Sequence, residues 1–451
     1  MSGFLNIKIY EVLNQYWGYD SFRQNQSEII HSILSDNDTI SLIPTGGGKS
    51  LCFQLPALVK DGCCIVISPL IALINDQVQR LKSLNIPAEG LHSGLEQNTK
   101  DDILLRLVDG ELKLLYISPE RLQSQSFRKI LKNVKISFIA VDEAHCISQW
   151  GYDFRPEYRK ISNIKDIFPN IKIAAFTATA NKKTLKDIKT YLGINKAKIF
   201  KGSFYKENIR FAAINTEKKL KVLKLLLSQL NGSGIIYMRS RKGTEKLNQL
   251  LRNDGFSTGY YHAGLNSGMR NKIQGKWLEN DIQVIISTTA FGMGIDKPDV
   301  RFVLHYDLPA SMEEYYQEAG RAGRDGQVSD AVIIYNSKDL NQLRINSLEY
   351  FPTLESINVV YNSLLRYFDI ANMESGKSFE FDIHRFLKHS GLASRLVFNS
   401  LSELERFGYI SFNYSTRYAY SHLKINMSDE DLREMKKENS IDFKVLSSAI
   451  H

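Results

Sequence analysis

The sequence has few cysteines and no long hydrophobic run. All four cysteines lie in the first third of the chain, at Cys52, Cys63, Cys64 and Cys146. Their spacing fits neither a disulfide framework nor paired zinc knuckles, so we expect buried thiols. Apolar runs such as residues 63–67 and 136–141 are far shorter than the ~18 residues of a membrane-spanning helix. The sequence therefore predicts no membrane partner.

The sequence also lacks a targeting segment, a short-period repeat and a low-complexity tract. Residues 1–6 contain no basic stretch leading into an apolar one, which predicts a cytoplasmic protein that is not secreted. Apolar residues make up 43% of the chain and charged residues 24%, which excludes a disordered or collagen-like protein. The 451 residues suffice for about three domains.

The charge is unevenly distributed. The net charge is +9, but residues 331–451 contain 14 Lys and Arg against 15 Asp and Glu, so the basic excess lies in residues 1–330. A basic region of this kind suggests a polyanion such as nucleic acid as a partner. Basic surfaces are also common on proteins that bind none, so charge alone leaves both interpretations open.

Short β-branched apolar runs alternate with longer amphipathic stretches such as residues 71–84. The first group of predicted strands comprises residues 39–43, 64–68, 112–117, 137–141 and 171–176. The second group comprises residues 235–238, 284–287, 302–305 and 331–335. This rhythm predicts two doubly wound α/β units with parallel sheets, separated by a polar linker at residues 202–208. After Ser337 the pattern becomes helical.

A glycine-rich segment follows the first predicted strand and precedes a helix. We call it the glycine loop: Pro44, Thr45, Gly46, Gly47, Gly48, Lys49 and Ser50. Its backbone N–H groups suit phosphate oxygens, with Lys49 reaching the β- and γ-phosphates and the Ser50 hydroxyl holding Mg²⁺. Ile43 replaces the first glycine of the strict phosphate-loop pattern. The alternative is a flexible glycine turn without a ligand.

Two adjacent carboxylates, Asp142 and Glu143, end the predicted strand at residues 137–141. Ligands of open α/β sheets bind at the carboxyl ends of strands. Asp142 is suited to hold Mg²⁺ through water, and Glu143 to polarise an attacking water. The alternative is an acidic strand end that caps the next helix.

Two arginines, Arg321 and Arg324, lie three residues apart in the second α/β unit. This spacing predicts that both guanidinium groups share one helical face. Their fixed charge suits the charge that develops on a γ-phosphate, as an arginine finger supplied across a cleft. A solvated helix face is the alternative.

These and further segments resemble the RecQ family of DNA helicases, within superfamily two, over about residues 10–337. The similar segments are residues 18–26, 68–78, 142–145, 176–180, 261–265, 290–298 and 317–324. The resemblance implies two RecA-like domains, at residues 1–203 and 204–337. It also implies that Tyr19, Arg23 and Gln26 hold adenine, that Gln317 contacts the nucleotide, and that His145 belongs to the catalytic set.

Residues 148–157 resemble the aromatic-rich loop of RecQ enzymes. In it Trp150 and Phe154 would stack on bases, Gln149 would contact DNA, and Arg155 would pair with a phosphate or return to the nucleotide cleft. The resemblance also assigns DNA contacts to Ser68 and His262. The alternative for the two aromatic side chains is a place in the core.

The C-terminal region departs from the family. Many RecQ enzymes have a four-cysteine zinc cluster here, but residues 338–451 contain no cysteine, so we predict no zinc. A helical segment would occupy residues 338–378, with a helix at 354–368. Residues 379–451 resemble a winged-helix domain, with helices at 381–391 and 393–407 and a strand-turn-strand at 409–423. Its near-neutral charge fits packing or partner binding as well as DNA binding.

The resemblance implies an ATP- and Mg²⁺-dependent helicase that moves 3′-to-5′ on single-stranded DNA and unwinds tailed duplexes in recombination and repair. It would act in a bacterial-type cytoplasm, at the nucleoid, and its protein partners are not predicted. A translocase without strand separation, an RNA helicase and a non-enzymatic DNA-binding scaffold are the alternatives. Intact Lys49, Asp142, Glu143, Arg321 and Arg324 argue against the scaffold.

Overall fold

The computed structural model describes residues 2–44, 46–148, 154–178, 180–203, 206–291, 297–350, 352–369, 378–413 and 421–425. The chain divides into two compact units between Asn336 and Ser337. The first unit contains two α/β domains, and the second contains helices and a small sheet. Within the described residues, no helix combines the length and the apolar character that crossing a membrane requires.

The first α/β domain is built on a parallel sheet. Its strands are β1 (Thr39–Leu42), β2 (Cys63–Ile67), β3 (Ala88–Leu91), β4 (Leu114–Ile117), β5 (Ile136–Val141), β6 (Ile173–Thr177) and β7 (Lys198–Lys201). Its helices are α1 (Ser2–Trp17), α2 (Gln26–Leu34), α3 (Leu51–Val59), α4 (Ile71–Ser83), α5 (Gln97–Val108), α6 (Pro119–Leu122), α7 (Gln125–Leu131) and α8 (Lys182–Tyr191), with 3-10 helices at Ala144–Ile147 and Pro156–Asp166.

The strand order of this sheet is β3-β4-β2-β5-β6-β1-β7, and its strand pairs are parallel. Both faces of the sheet are covered. Cys63, Ile65 and Ile67 of β2 pack into the core on one face, and Cys64 and Val66 pack into the core on the other. A strand buried on both faces is a continuous apolar run, which is why the sequence pattern identified β2.

The second α/β domain follows the same plan. Its strands are β8 (Ile209–Asn215), β9 (Ser233–Tyr237), β10 (Thr258–Tyr261), β11 (Val284–Ser287), β12 (Val300–His305) and β13 (Ser329–Tyr335). Its helices are α9 (Lys219–Gln229), α10 (Arg241–Asn253), α11 (Ser267–Leu278) and α12 (Met312–Ala319). The parallel sheet has the order β10-β11-β9-β12-β13-β8. The predicted pair of parallel-sheet domains is confirmed.

The second unit has its own apolar core. This unit comprises α13 (Ser337–Tyr350), α14 (Leu354–Tyr367), β14 (Ser378–Phe381), α15 (Ile383–Ser390), α16 (Ser394–Arg406), β15 (Ile410–Asn413) and β16 (Ser421–Ile425). The three strands form an antiparallel sheet in the order β14-β16-β15. Asp382 caps α15, because its Oδ1 accepts hydrogen bonds from the N–H groups of His384 and Arg385. The winged-helix interpretation stays a prediction.

The sequence pattern missed strands β3, β7, β8, β10 and β14. Strand β3 contains Glu89 and Gly90 in only four residues, and β7 carries exposed lysines at both ends. Strands β3 and β7 lack the apolar run on which the prediction depended, and neighbouring strands in the sheet stabilise them instead. Strand β8 has an apolar run but is mostly exposed. All four cysteines are buried and none forms a disulfide, as expected. Burial raises the pKa of Cys63 to about 12.

Candidate active site

The glycine loop connects β1 to α3 in a conformation that requires glycine. Gly46 and Gly48 have φ angles of 81° and 78°, in the left-handed region. A Cβ on Gly47 would lie 2.3 Å from Cγ2 of Ile43. The loop ends at Ser50, the N-cap of α3. A tight loop that leads into a helix N-terminus is suited to phosphate binding.

Arg23 and Gln26, the first residue of α2, hold this loop. The side-chain amide of Gln26 donates to the carbonyls of Gly47 and Gly48, at 3.3 and 3.2 Å. The Gln26 Oε1 accepts from the backbone N–H of Arg23 at 2.9 Å, and the Arg23 Nη1 donates to the Gly46 carbonyl at 2.7 Å. Gln26 and Arg23 therefore contact the glycine loop itself, and their role with adenine stays a prediction.

Asp142 and Glu143 directly follow β5, which is separated from β1 by β6 alone. This strand order brings the two carboxylates to the same sheet edge as the glycine loop. The Lys49 Nζ lies 3.8 Å from Glu143 Oε1. Glu143 has a φ of 46°, which is strained for a residue with a side chain and costs about 1–3 kcal/mol. The surrounding packing holds this strained residue beside Lys49.

The two carboxyl groups differ electrostatically. Burial, and then the neighbouring Glu143, raise the pKa of Asp142 to about 7. Burial alone would raise the pKa of Glu143 as well, but the charges of Lys49, His145 and Arg321 lower it below its usual value. Neighbouring carboxyl groups whose pKa values are pushed apart are typical of sites with distinct roles for each group.

The residues fit a divalent cation. Asp142 is buried, and burial and the neighbouring Glu143 raise its pKa although the charge of Lys49 lowers it. The Oε2 of Glu143 is buried and has no hydrogen-bond partner among the described residues. Carboxylate and hydroxyl oxygens are the ligands that Mg²⁺ prefers. Asp142 with the Ser50 hydroxyl is therefore a suitable donor set.

His145 connects the carboxylates to the next strand. Its Nδ1 lies 2.9 Å from the Thr177 Oγ1 and 3.4 Å from Glu143 Oε2. Thr177 is the last residue of β6, which lies between the strands that carry the carboxylates and the glycine loop. Both His145 and Thr177 are buried. The three strand ends therefore form one connected site.

Arg321 and Arg324 do not share a helical face, so that prediction was wrong. Helix α12 ends at Ala319, and both arginines lie in the turns that follow. Gly323 has a φ of 59°, and a Cβ there would lie 2.4 Å from the Asn208 Nδ2. After the helix, the N–H groups of Arg321 and Ala322 bond three residues back to the carbonyls of Glu318 and Ala319, and the left-handed Gly323 next to Asn208 then turns the chain before Arg324.

The turn nevertheless brings both arginines to the site in the first domain. Arg321 is 4% exposed, and its charge contributes to the lowered pKa of Glu143. The Arg324 Cγ lies 3.4 Å from the position that a Cβ on Gly46 would take. Burial, and then the charge of Arg321, lower the pKa of Arg324 to about 9. A cationic turn thus faces the glycine loop across the cleft between the domains.

Sequence reasoning missed the residues that support this turn. The charge of Arg321 acts on Tyr237, whose hydroxyl donates to the Phe291 carbonyl at 2.8 Å. His305 stacks on the Tyr237 ring, and its Nε2 lies 2.9 Å from the Glu318 Oε2. Their position could have identified them. Tyr237 is the last residue of β9 and His305 the last residue of β12, and the pattern predicted both strands. Lys206 was also missed, since it lies in the predicted linker.

Each α/β domain contains a matched histidine segment. Strands β3 and β10 are followed by His92 and His262, each in a His-x-Gly-Leu sequence. The His92 Nε2 lies 2.9 Å from the Asn75 Oδ1, and the His262 Nε2 lies 2.9 Å from the Glu245 Oε1. In both cases the partner is 17 residues earlier, so the two domains repeat this detail. Comparing the two domain sequences would have identified His92.

The residues predicted to contact DNA differ in how far their side chains are exposed. Ser68 and His262 are 1% and 4% exposed, which gives their side chains no surface for a strand in this conformation. Phe154 is half-buried in a loop, with the Arg159 guanidinium 4.8 Å from its ring centroid. The Arg155 Nη1 donates to the Pro69 carbonyl, which joins the aromatic-rich loop to the segment after β2.

The remaining predicted residues have less defined surroundings. Thr45, Gln149 and Trp150 lie outside the described residues. Tyr19 is 49% exposed, as an aromatic side chain available for stacking would be. Gln317 is buried in α12, one turn before the arginines.

The fold and the site together define a class: tandem RecA-like α/β domains with a phosphate loop in the first and paired arginines from the second. Two family models match the chain, the DEAD/DEAH box helicase model over residues 23–188 and the helicase conserved C-terminal domain model over residues 217–326. Dbp5 of S. cerevisiae, solved with RNA and ADP BeF3, has a TM-score of 0.60 at 19% identity and covers 76% of this chain and 91% of its own. The helicase MrfA, solved with DNA, has a TM-score of 0.61 at 18% identity over 93% of this chain and 62% of its own. At these identities the likeness concerns the fold alone.

Sequence relatives are more specific. The ATP-dependent DNA helicase RecQ of Pasteurella multocida is 45% identical over 73% of this chain and 52% of its own length. The probable ATP-dependent DNA helicase RecS of Bacillus subtilis is 40% identical over 78% of this chain and 72% of its own length. The chain belongs to the RecQ family of helicases. It spans about half the length of the Pasteurella multocida relative and of one from Haemophilus influenzae.

Proposed function

We propose that this protein is an ATP-dependent DNA helicase, which couples ATP hydrolysis to 3′-to-5′ movement on single-stranded DNA and to duplex unwinding. One observation carries the proposal: Lys49 and Glu143 lie 3.8 Å apart in the first domain, and Arg324 of the second domain borders the same glycine loop, its Cγ 3.4 Å from the position of a Cβ on Gly46. A motor needs hydrolysis that depends on how two domains approach each other, and a site divided between them provides this.

The nucleotide is proposed to bind with its phosphates on Gly46, Gly47 and Gly48, beside Lys49. Lys49 stabilises the charge that develops between the β- and γ-phosphates. Thr45 completes the loop, and Gln317 contacts the nucleotide from the second domain. Tyr19 and Arg23 enclose the adenine, and Gln26 reads its edge; for this, Gln26 exchanges its bonds to the loop carbonyls for bonds to the base.

The water-activating group is proposed to be Glu143, which its lowered pKa keeps ionised. Asp142 and Ser50 would hold Mg²⁺, which when bound would neutralise charge at the phosphate oxygens. His145 orients Glu143 and connects it to Thr177. Arg321 and Arg324 act across the cleft as the arginine fingers, so that closure of the domains completes the site.

The partner is proposed to be DNA, single-stranded or as a duplex with a single-stranded tail. The names of the sequence relatives support this, as does the basic excess of residues 1–330. Gln149, Trp150, Phe154 and Arg155 form the aromatic-rich loop that senses the strand. Ser68 and His262 contribute only if bound DNA exposes them. Such a motor would serve DNA recombination and repair at the nucleoid of a bacterial-type cytoplasm.

The C-terminal region is proposed to comprise a helical segment at 338–378 and a winged-helix domain at 379–451. Four helices, α13 to α16, and a three-stranded antiparallel sheet among the described residues support this. No structural zinc is expected, since residues 338–451 contain no cysteine. Metal analysis of the purified protein tests this, and stoichiometric zinc would contradict it.

A strand-displacement assay tests the function as a whole. The protein is incubated with ATP and Mg²⁺ on 3′-tailed and 5′-tailed DNA duplexes and on a 3′-tailed RNA duplex, with Lys49→Ala as the inactive control. We expect displacement on the 3′-tailed DNA alone. Hydrolysis without displacement would identify a translocase, displacement of RNA alone an RNA helicase, and DNA binding without any hydrolysis a scaffold.

A further inference from the structure

Lys206 connects the two halves of the nucleotide cleft. It lies in the segment between β7 and β8, which joins the two α/β domains. Its Nζ donates a hydrogen bond of 2.8 Å to the carbonyl of Gly320, the residue that ends α12 just before Arg321. The same Nζ lies 3.2 Å from the position that a Cβ on Gly46 would take. One ammonium group therefore contacts the arginine turn and borders the glycine loop.

The surroundings of Lys206 are cationic. Burial, and then the charges of Arg324 and Arg23, lower its pKa to about 8. Among the described residues, no ion pair joins it to a carboxylate. Three cations from three segments thus converge beside Gly46. Such a cluster is unfavourable without an anion, and an anion placed among them would offset the cost of burial.

The geometry identifies that anion. Gly46 belongs to the phosphate loop, and its φ of 81° keeps the side of the loop that faces Lys206 without a side chain. An ammonium group has three N–H donors, of which the Gly320 carbonyl uses one. Resting on the function proposed above, we propose that Lys206 contacts the terminal phosphate of bound ATP, alongside Arg324, and is a further catalytic residue.

This role makes Lys206 a discriminator between ATP and ADP. With a triphosphate bound, Lys206 contacts the γ-phosphate while it holds the Gly320 carbonyl, so that the arginine turn stays against the loop. After the γ-phosphate leaves, the clustered charges of Lys206, Arg324 and Arg23 repel one another. Repulsion of like charges in a partly buried cleft favours opening of the domains.

Replacement of Lys206 by Gln tests the proposal, with Lys206→Arg as the conservative variant. Lys198→Gln, on the exposed edge strand β7, is the matched control that removes an equal charge. Two experiments are done with the full chain. Steady-state kinetics give kcat and KM for ATP, and binding titrations give the affinity ratio of a non-hydrolysable triphosphate to ADP. We expect Lys206→Gln to lower kcat about ten- to hundredfold and to reduce the affinity ratio. Lys206→Arg should restore most of both, and Lys198→Gln should change neither.

Two results would overturn the proposal. One is a folded Lys206→Gln protein with the parent kcat and the parent affinity ratio. The other is an equal loss of triphosphate and ADP affinity, which would make Lys206 a support of the loop. A melting curve shows whether each variant folds. Lys206→Met, which also removes the charge, repeats the affinity test if the Gln variant fails to fold. The affinity ratio needs no turnover, so it remains measurable even if the parent hydrolyses no ATP, a result that would contradict the function itself.

Discussion

His145 and Thr177 are joined by a buried contact of 2.9 Å between Nδ1 and Oγ1, which connects the carboxylate segment to the end of β6. Thr177→Val keeps the shape of the side chain but removes this hydroxyl. We expect strand displacement per ATP hydrolysed to fall severalfold, because the orientation of His145 no longer follows β6. A modest stability loss of about 1 kcal/mol should accompany it. Thr177→Ser, which keeps the hydroxyl, is the control. A Val variant with parental strand displacement per ATP would refute the view that the His145–Thr177 contact links ATP hydrolysis to strand displacement.

Lys49→Ala should reduce ATP hydrolysis by about a hundredfold or more, because no other group in the glycine loop carries a positive charge to the β- and γ-phosphates. DNA binding should largely survive, and a strand-binding titration beside the ATPase assay checks both. Hydrolysis within a few-fold of the parent would mean that the glycine loop does not hold the phosphates.

Arg324→Ala should lower kcat more than it raises KM for ATP. The guanidinium acts on charge that develops during phosphoryl transfer, so its loss affects the transition state more than the bound substrate. Steady-state kinetics at saturating DNA measure the two constants. An equal effect on both would indicate simple binding, and an unchanged kcat would remove Arg324 from the catalytic set.

Trp150→Ala separates the two interpretations of the aromatic-rich loop. If Trp150 is exposed and stacks on bases, the free energy of unfolding should change by no more than ~0.5 kcal/mol. Stimulation of the ATPase by single-stranded DNA should be lost. If Trp150 belongs to the core, the substitution should cost ~3–5 kcal/mol. Thermal melting beside the basal and DNA-stimulated ATPase rates distinguishes them. A stable variant with full stimulation would contradict the sensor role.

Local features of the site were predictable from the sequence. Gly46, Gly47 and Gly48 between a strand and a helix indicated a tight loop, and the left-handed backbone and close approach found there both require glycine. Asp142 and Glu143 directly follow a continuous apolar run, which indicated that a buried strand ends there. Such patterns depend on residues close in the chain, which determine backbone conformation directly.

The tertiary structure decided how these segments meet. Arg321 and Arg324 follow helical spacing, yet both lie in turns after the end of α12, with Gly323 between them in a left-handed conformation beside Asn208. The sequence places Lys206 in a predicted linker, whereas in the fold its Nζ donates to the carbonyl of Gly320, 114 residues later. The two α/β domains, the glycine loop and the paired carboxylates follow from residue order and local pattern. Only the packing of the domains decided which cations surround the loop, because contacts between distant segments depend on the whole fold and no spacing along the chain encodes them.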